Sequence, residues 1–336
     1  MKLLRRIRVR IPEYLLVVIS DIKCFLLNPL GQPYPFHGKN TLTPVFIMGP
    51  GRSGNTLLVR ELSNKLNIHF PPEIPGLGGL INEYSIYRRG SWYNLVEKVI
   101  VRFKIKCNVD IVVENQPPYN LWKELRIDEQ KILRHLKDVK VQDRNLSYVI
   151  HTIYMSYFES RGIDTAKDGF MWGDKTPWSL YHYLKIYKTF PRAHYIFTMR
   201  NPMSIVSSYL QVFSKSKGLK IDDAILRWKT ASKLVGRYSK KDRAMMVKYE
   251  DFVKNPDNVL LQISRFLGLN ASQPLVENLL DSVPDSKLLH HSGLKYKVNT
   301  NSLELWKAYL TKSQQNKIVR KLNKEMLEFN YNEQEV

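Results

Sequence analysis

Cysteine is nearly missing from this chain of 336 residues: Cys24 and Cys107 are the only two. They stand too far apart in sequence to make a metal-ligand pair, and two thiols cannot build a disulfide framework. That usage predicts a reducing, cytoplasmic compartment. Acidic residues are also short, 31 against 52 Lys and Arg, for a formal charge of +21. A surplus of that size favours anionic partners and says nothing about fold. The basic residues are dispersed and no motif that reads bases or a nucleic-acid backbone is present, which argues against nucleic acid. Long apolar runs are lacking as well. Tyr14 to Ile19 is closed by Asp21 and Lys23, too short and too charged to span a bilayer, and no small-residue cleavage site follows it. Preceded by Lys2, Arg5, Arg6, Arg8 and Arg10, residues 1–42 read as a helical extension, either packed on the domain or resting on a membrane surface as a basic anchor.

Repeats, low-complexity tracts and long linkers are absent too. What is there suits a sizeable core: 43% of residues are hydrophobic, and 6 Trp, 19 Tyr and 13 Phe are spread along the whole length. Residues 43–331 therefore read as one α/β domain, P-loop-like, with a central, mostly parallel sheet flanked by helices.

Three junctions carry that reading. Val45 to Met48 is short and wholly apolar, as a strand buried on both faces requires. Leu58, Leu62 and Leu66 then recur every four residues, the stripe of a helix lying on the sheet. Between them, Gly49, Gly51 and Gly54 permit a tight turn whose N–H groups point inward at a helix N-terminus, a place for a phosphate. Gly49 to Thr56 fits the Walker pattern at both glycines and at Thr56, but Asn55 stands where its lysine belongs. A kinase or hydrolase built on this loop would lack its main charge stabiliser. Arg52 is the loop's own cation.

The second junction runs from Tyr195 to Tyr209. Tyr195 to Met199 reads as a strand, Asn201-Pro202 as cap and first helical position, and Ile205, Val206, Tyr209 and Leu210 as the packed face of the next helix. Arg200 then sits at the strand's carboxyl end, where open α/β sheets bind ligands. A Walker-B carboxylate for Mg²⁺ would be expected there in an ATPase. Arginine instead suits direct pairing with an anion, and Ser208 adds a hydrogen-bond donor. The third junction, Met245 to Pro256, is a short strand followed by a helix through Leu260, Ile263 and Leu267 to a stop at Gly268. Tyr249 at its turn can stack on an adenine or serve the core.

Together these stretches resemble the superfamily of sulfotransferases that use 3′-phosphoadenosine 5′-phosphosulfate (PAPS). Gly51-Arg-Ser-Gly-Asn-Thr56 looks like that family's 5′-phosphosulfate loop, Arg200 with Ser208 like its 3′-phosphate site, and Tyr249-Glu-Asp251 like its adenine-side strand end. Trp172-Gly-Asp-Lys-Thr-Pro177 resembles the motif beside the transferring group, and Tyr296 to Trp306 the loop that covers the cofactor. The cytosolic small-molecule branch carries a His two residues after the motif lysine; here that place is Pro177. Phe70-Pro-Pro-Glu-Ile74 is instead similar to the branch that includes the tyrosylprotein and many bacterial sulfotransferases, whose base is a glutamate.

The resemblance implies transfer of a sulfuryl group from PAPS to an acceptor hydroxyl or amine without a metal. It implies that Glu73 is the base and that Lys175 and Arg52 are the catalytic cations. Gly51, Arg52, Ser53, Gly54, Asn55, Thr56, Arg200, Ser208 and Tyr249 would form the PAPS site. His69, Tyr84 and Tyr87, near Glu73 in sequence, would line the acceptor's place. A glycan, a lipid head group or another anionic molecule would suit the basic surface as acceptor. Two rivals stand beside this reading: a P-loop kinase or nucleotide hydrolase, and a non-catalytic protein that uses the fold to bind a polyanion or membrane.

Overall fold

The computed structural model describes residues 13–39, 42–74, 76–111, 119–269, 298 and 300–331. The basic stretch before Glu13, and Tyr296, Lys297 and Asn299 of the expected covering loop, lie outside them.

The described residues begin with α1 (Glu13–Leu27), β1 (Val45–Met48), α2 (Asn55–Leu66) and β2 (Ile68–His69). A mostly helical run follows: α3 (Leu77–Tyr87), α4 (Trp92–Cys107), β3 (Asp110–Ile111), β4 (Tyr119–Asn120), α5 (Leu121–Leu125), α6 (Glu129–Asp138) and α7 (Leu146–Ser160). After β5 (Met171–Lys175) and α8 (Tyr183–Thr189) come β6 (His194–Met199), α9 (Pro202–Lys217), α10 (Ile221–Tyr238) and β7 (Ala244–Lys248). The last are α11 (Tyr249–Lys254), α12 (Pro256–Phe266), α13 (Trp306–Tyr309) and α14 (Lys312–Glu328).

These elements fall into two compact units. Residues 45–70, 171–180 and 194–336 form one; residues 1–44, 71–170 and 181–193 form the other. The first contains a five-stranded, all-parallel sheet in the order β2-β5-β1-β6-β7. Its alternation is visible in β1. Val45 and Ile47 join Ile196 and Val247 in a core completed by Leu58 and Leu62 of α2 and Val259, Leu260 and Ile263 of α12. Phe46, on the opposite face, stacks on Tyr195 with centroids 5.7 Å apart. The expected caps form: the Asn201 side chain accepts from Met203 N at 2.8 Å, and that of Asn255 from Asn258 N at 3.3 Å. The third strand is shorter than expected at its end, because Tyr249 already belongs to α11.

In sheet order the chain leaves β1 toward β2 and leaves β6 toward β7. Loops that diverge in this way open a crevice at the carboxyl ends of the central strands, and it is there that such sheets bind ligands.

The other unit is helical apart from the antiparallel pair β3-β4. Trp92, buried at the start of α4, donates Nε1–H to Leu136 O of α6 at 2.6 Å. Cys24 and Cys107 are both buried and free. Burial pushes the Cys107 thiol up to about 12. Tyr84 is a core residue with no exposed surface, its hydroxyl donating to Pro35 O at 2.8 Å; the expectation that it lines an acceptor pocket is corrected, because burial removes it from any approach path. No helix among the described residues is long and apolar enough to cross a membrane.

Candidate active site

The loop from β1 to α2 is braced from inside before it can hold anything. Ser53 Oγ donates to Pro50 O at 2.6 Å and lies 2.7 Å from Thr198 Oγ1, near the end of β6. Asn55 closes the same knot: its Nδ2 donates to Pro50 O at 3.3 Å and its Oδ1 accepts from Thr198 Oγ1. One Nδ2–H and the Oδ1 of Asn55 are thus held by the loop, and what the residue can offer a ligand is its second Nδ2–H and its backbone N–H. The first helical bond runs from Leu58 N to Gly54 O at 3.0 Å, so the amides just before Leu58 have no partner within the helix.

Gly54, the N-cap of α2, has φ +84°. A Cβ there would also lie 2.3 Å from the Tyr249 ring. Glycine is therefore required twice, by backbone sign and by the ring laid against it.

Three cations converge on this loop. Lys175, at the end of β5 and 3% exposed, donates Nζ–H to Thr56 Oγ1 at 3.1 Å. Arg52 donates Nε–H to Ser208 Oγ of α9 at 2.8 Å. Arg200, just past β6, donates to Arg52 O at 3.2 Å and to Ser302 O at 2.9 Å, with its guanidinium carbon 4.0 Å from the Tyr249 ring centroid. Tyr249 is fixed in turn by a 2.6 Å hydrogen bond between its hydroxyl and Ser302 Oγ. Burial lowers the Arg200 pKa, an effect opposed by Tyr249, Glu250 and Tyr331. Its Nε–H is buried without a hydrogen-bond partner among the described residues.

Glu250 secures the turn below. It accepts from Asn201 N at 2.9 Å and from the Tyr331 hydroxyl at 3.0 Å. Burial, and then Glu250 itself, hold the Tyr331 pKa well above its ordinary value.

The parallel-sheet unit therefore brings together Gly51, Arg52, Ser53, Gly54, Asn55, Thr56, Lys175, Arg200, Ser208 and Tyr249. Glu73 is not among them: it is half-buried between β2 and α3, in the helical unit. Reasoning from sequence missed Thr198 and Ser302. A hydroxyl inside the apolar strand Tyr195-Ile-Phe-Thr-Met199 was the available signal for Thr198. Ser302 acts through its carbonyl, which any residue carries, and through a hydroxyl that its local sequence does not mark.

Backbone amides with Lys175 and Arg52 suit one anionic group, and Arg200 with Ser208 suits a second. The unpartnered Nε–H of Arg200 fits a ligand oxyanion, since a buried donor is costly to leave unmet. No group of three or more His, Cys, Asp or Glu that could hold a metal occurs among the described residues.

The profile of the Sulfotransferase family matches residues 44–273, well over half of the chain. The sulfotransferase domain of the Synechococcus PCC 7002 olefin synthase matches at 18% identity and TM-score 0.53, over 90% of this chain and 97% of that one. The sulfotransferase domain from the curacin biosynthetic pathway matches at 19% identity and TM-score 0.49, over 84% and 99%. A mouse sulfotransferase complexed with PAP matches at 11% identity and TM-score 0.41, over 85% of each chain. No curated protein sequence matches. With the family profile laid over the loop, Arg200 and Tyr249, this chain belongs to the sulfotransferase family, as an enzyme that transfers a sulfuryl group from PAPS to an acceptor.

Proposed function

We propose a division of labour among the residues of this enzyme. The amides of Ser53 to Thr56 hold the 5′-phosphate, Arg200 and Ser208 hold the 3′-phosphate, and Tyr249 borders the adenine while bracing Arg200. Arg52 and Lys175 offset the charge that builds on the bridging oxygen as its bond to sulfur breaks. Glu73 takes the acceptor's proton as the new oxygen–sulfur bond forms, and 3′-phosphoadenosine 5′-phosphate (PAP) leaves. Positioning and electrostatics supply most of the rate, by analogy with phosphoryl transfer.

The observation that carries this reading is Arg200, buried against Tyr249 and the Arg52 and Ser302 carbonyls with its Nε–H unmet. Pro177, the Arg52 loop and Phe70 to Ile74 support placement nearer the tyrosylprotein and bacterial branch than the cytosolic small-molecule branch. The charge of +21 favours an anionic acceptor such as a glycan or a lipid head group, with the basic residues before Glu13 meeting a membrane surface.

The test is incubation with labelled PAPS and a panel of acceptor extracts in excess EDTA. Transfer of label is expected. Complete loss of transfer that Mg²⁺ restores would revive the kinase reading, and no turnover with any extract would favour a binding protein on this fold.

A further inference from the structure

Arg227 of the parallel-sheet unit has no part in the roles above. It lies on α10, half-buried, and its guanidinium carbon is 5.6 Å from the Tyr209 ring centroid and 5.9 Å from that of Trp178. Among the described residues no carboxylate forms an ion pair with it. Both rings belong to the neighbourhood of the phosphate loop. Tyr209 follows Ser208, the acceptor for Arg52 Nε–H, and a Cβ on Gly51 would lie 2.7 Å from the Tyr209 hydroxyl oxygen. Only a glycine lets that hydroxyl rest on the loop. Trp178 stands three residues after Lys175 and is 57% exposed.

The guanidinium makes cation–π contacts with both rings and a side-chain hydrogen bond with Tyr209, and the rest of its five in-plane N–H donors can take an oxyanion. A half-buried guanidinium without a carboxylate keeps N–H donors that an anion can take. Burial raises the Tyr209 pKa, and the Arg227 and Arg52 charges and hydrogen bonds with Gly51 and Arg227 oppose that rise.

We propose that Arg227, set by Tyr209 and Trp178, is an anion-binding residue of the transfer site that receives a phosphate, sulfate or carboxylate carried by one of the two substrates. The proposal rests on the sulfotransferase reading of the loop beside it. The anion has two possible carriers, the nucleotide donor and the acceptor, and they separate experimentally.

The experiment measures equilibrium binding to the full chain and to its R227Q and R227K variants. In the donor arm the probes are PAP and adenosine; in the acceptor arm, with PAP present, they are 4-nitrophenyl β-D-glucuronide and the uncharged glucoside. R227Q is expected to weaken the charged probe of one arm about tenfold or more, and to leave its neutral counterpart within about twofold. R227K, which keeps the charge but loses the planar stack, should fall between parent and R227Q. It also serves as the test should R227Q fail to fold. The arm that responds identifies the carrier. Charged-to-neutral ratios that match the parent's in both arms overturn the proposal, as does a parent that binds neither glycoside while the nucleotide ratio is unchanged. A parent that binds no PAP would instead sink the sulfotransferase reading itself, a result distinguishable from either of these.

Discussion

Gly54→Ala is the most informative single change, because it sets backbone strain and steric displacement on the same atom. Gly54 has φ +84°, and the added methyl would come within 2.3 Å and 2.6 Å of two ring carbons of Tyr249. Gly162 is the natural control: its φ is +73°, and a methyl added there would meet nothing within 4 Å. Strain alone, in Gly162→Ala, should cost about 1–2 kcal/mol. Overpacking adds about 1–3 kcal/mol, so Gly54→Ala should cost about 2–5 kcal/mol. The functional consequence differs more sharply than the stability. Moving Tyr249 would loosen its contact with Arg200, at 4.0 Å, and its 2.6 Å bond to Ser302. Those are worth about 0.5–2 and 0.5–1.5 kcal/mol, enough to weaken PAP binding about tenfold. Calorimetry with PAP on both variants reads the difference. Gly54→Ala binding PAP as tightly as Gly162→Ala would refute the wedge of Tyr249 between loop and arginine.

Three further outcomes are expected. Arg200→Ala should weaken PAP by roughly 1.5–3 kcal/mol but adenosine 5′-phosphate far less, since only PAP carries the 3′-phosphate; equal losses by calorimetry would remove Arg200 from that role. Glu73→Gln keeps size without basicity, so PAPS should bind almost normally while transfer slows at least about a hundredfold. Turnover within a few-fold of the parent would make Glu73 structural and His69 the next base to test. In the helical unit, burial lowers the His151 pKa from 6.5 to about 4. The unfolded chain takes up this proton first, so stability falls as pH drops from 6.5 toward about 4, by up to about 3 kcal/mol. Denaturant melts across that range should show the slope, and His151→Gln should flatten it; an unaltered slope would assign it to other groups.

Much of the parallel-sheet unit was legible in the residues because its strands are buried on both faces and must be apolar throughout. Val45–Met48 and the strand ending at Met199 announced themselves in this way, as did the Asn201 and Asn255 caps. β5 gave no such signal. Its sequence Met-Trp-Gly-Asp-Lys ends in two charged residues, and Asp174 and Lys175 are nonetheless 1% and 3% exposed. A strand at the centre of a sheet can carry buried polar groups when neighbours satisfy them, and that is a property of the neighbours.

In the sequence, a phosphate loop without a lysine and a strand end bearing arginine argued against a kinase, and the reaction class followed from the resemblance of the motifs to the sulfotransferase family. Tertiary structure alone decided how the side chains divide their work. Asn55, which by type could reach a ligand, turns inward to Pro50 and Thr198. Tyr249 packs beneath Arg200, and Arg227 comes beside Gly51 through Tyr209. Hydrogen bonds and ring contacts between residues about 20 to 200 positions apart depend on which strands lie side by side. That information resides in the β2-β5-β1-β6-β7 order of the sheet and in no local stretch of the chain.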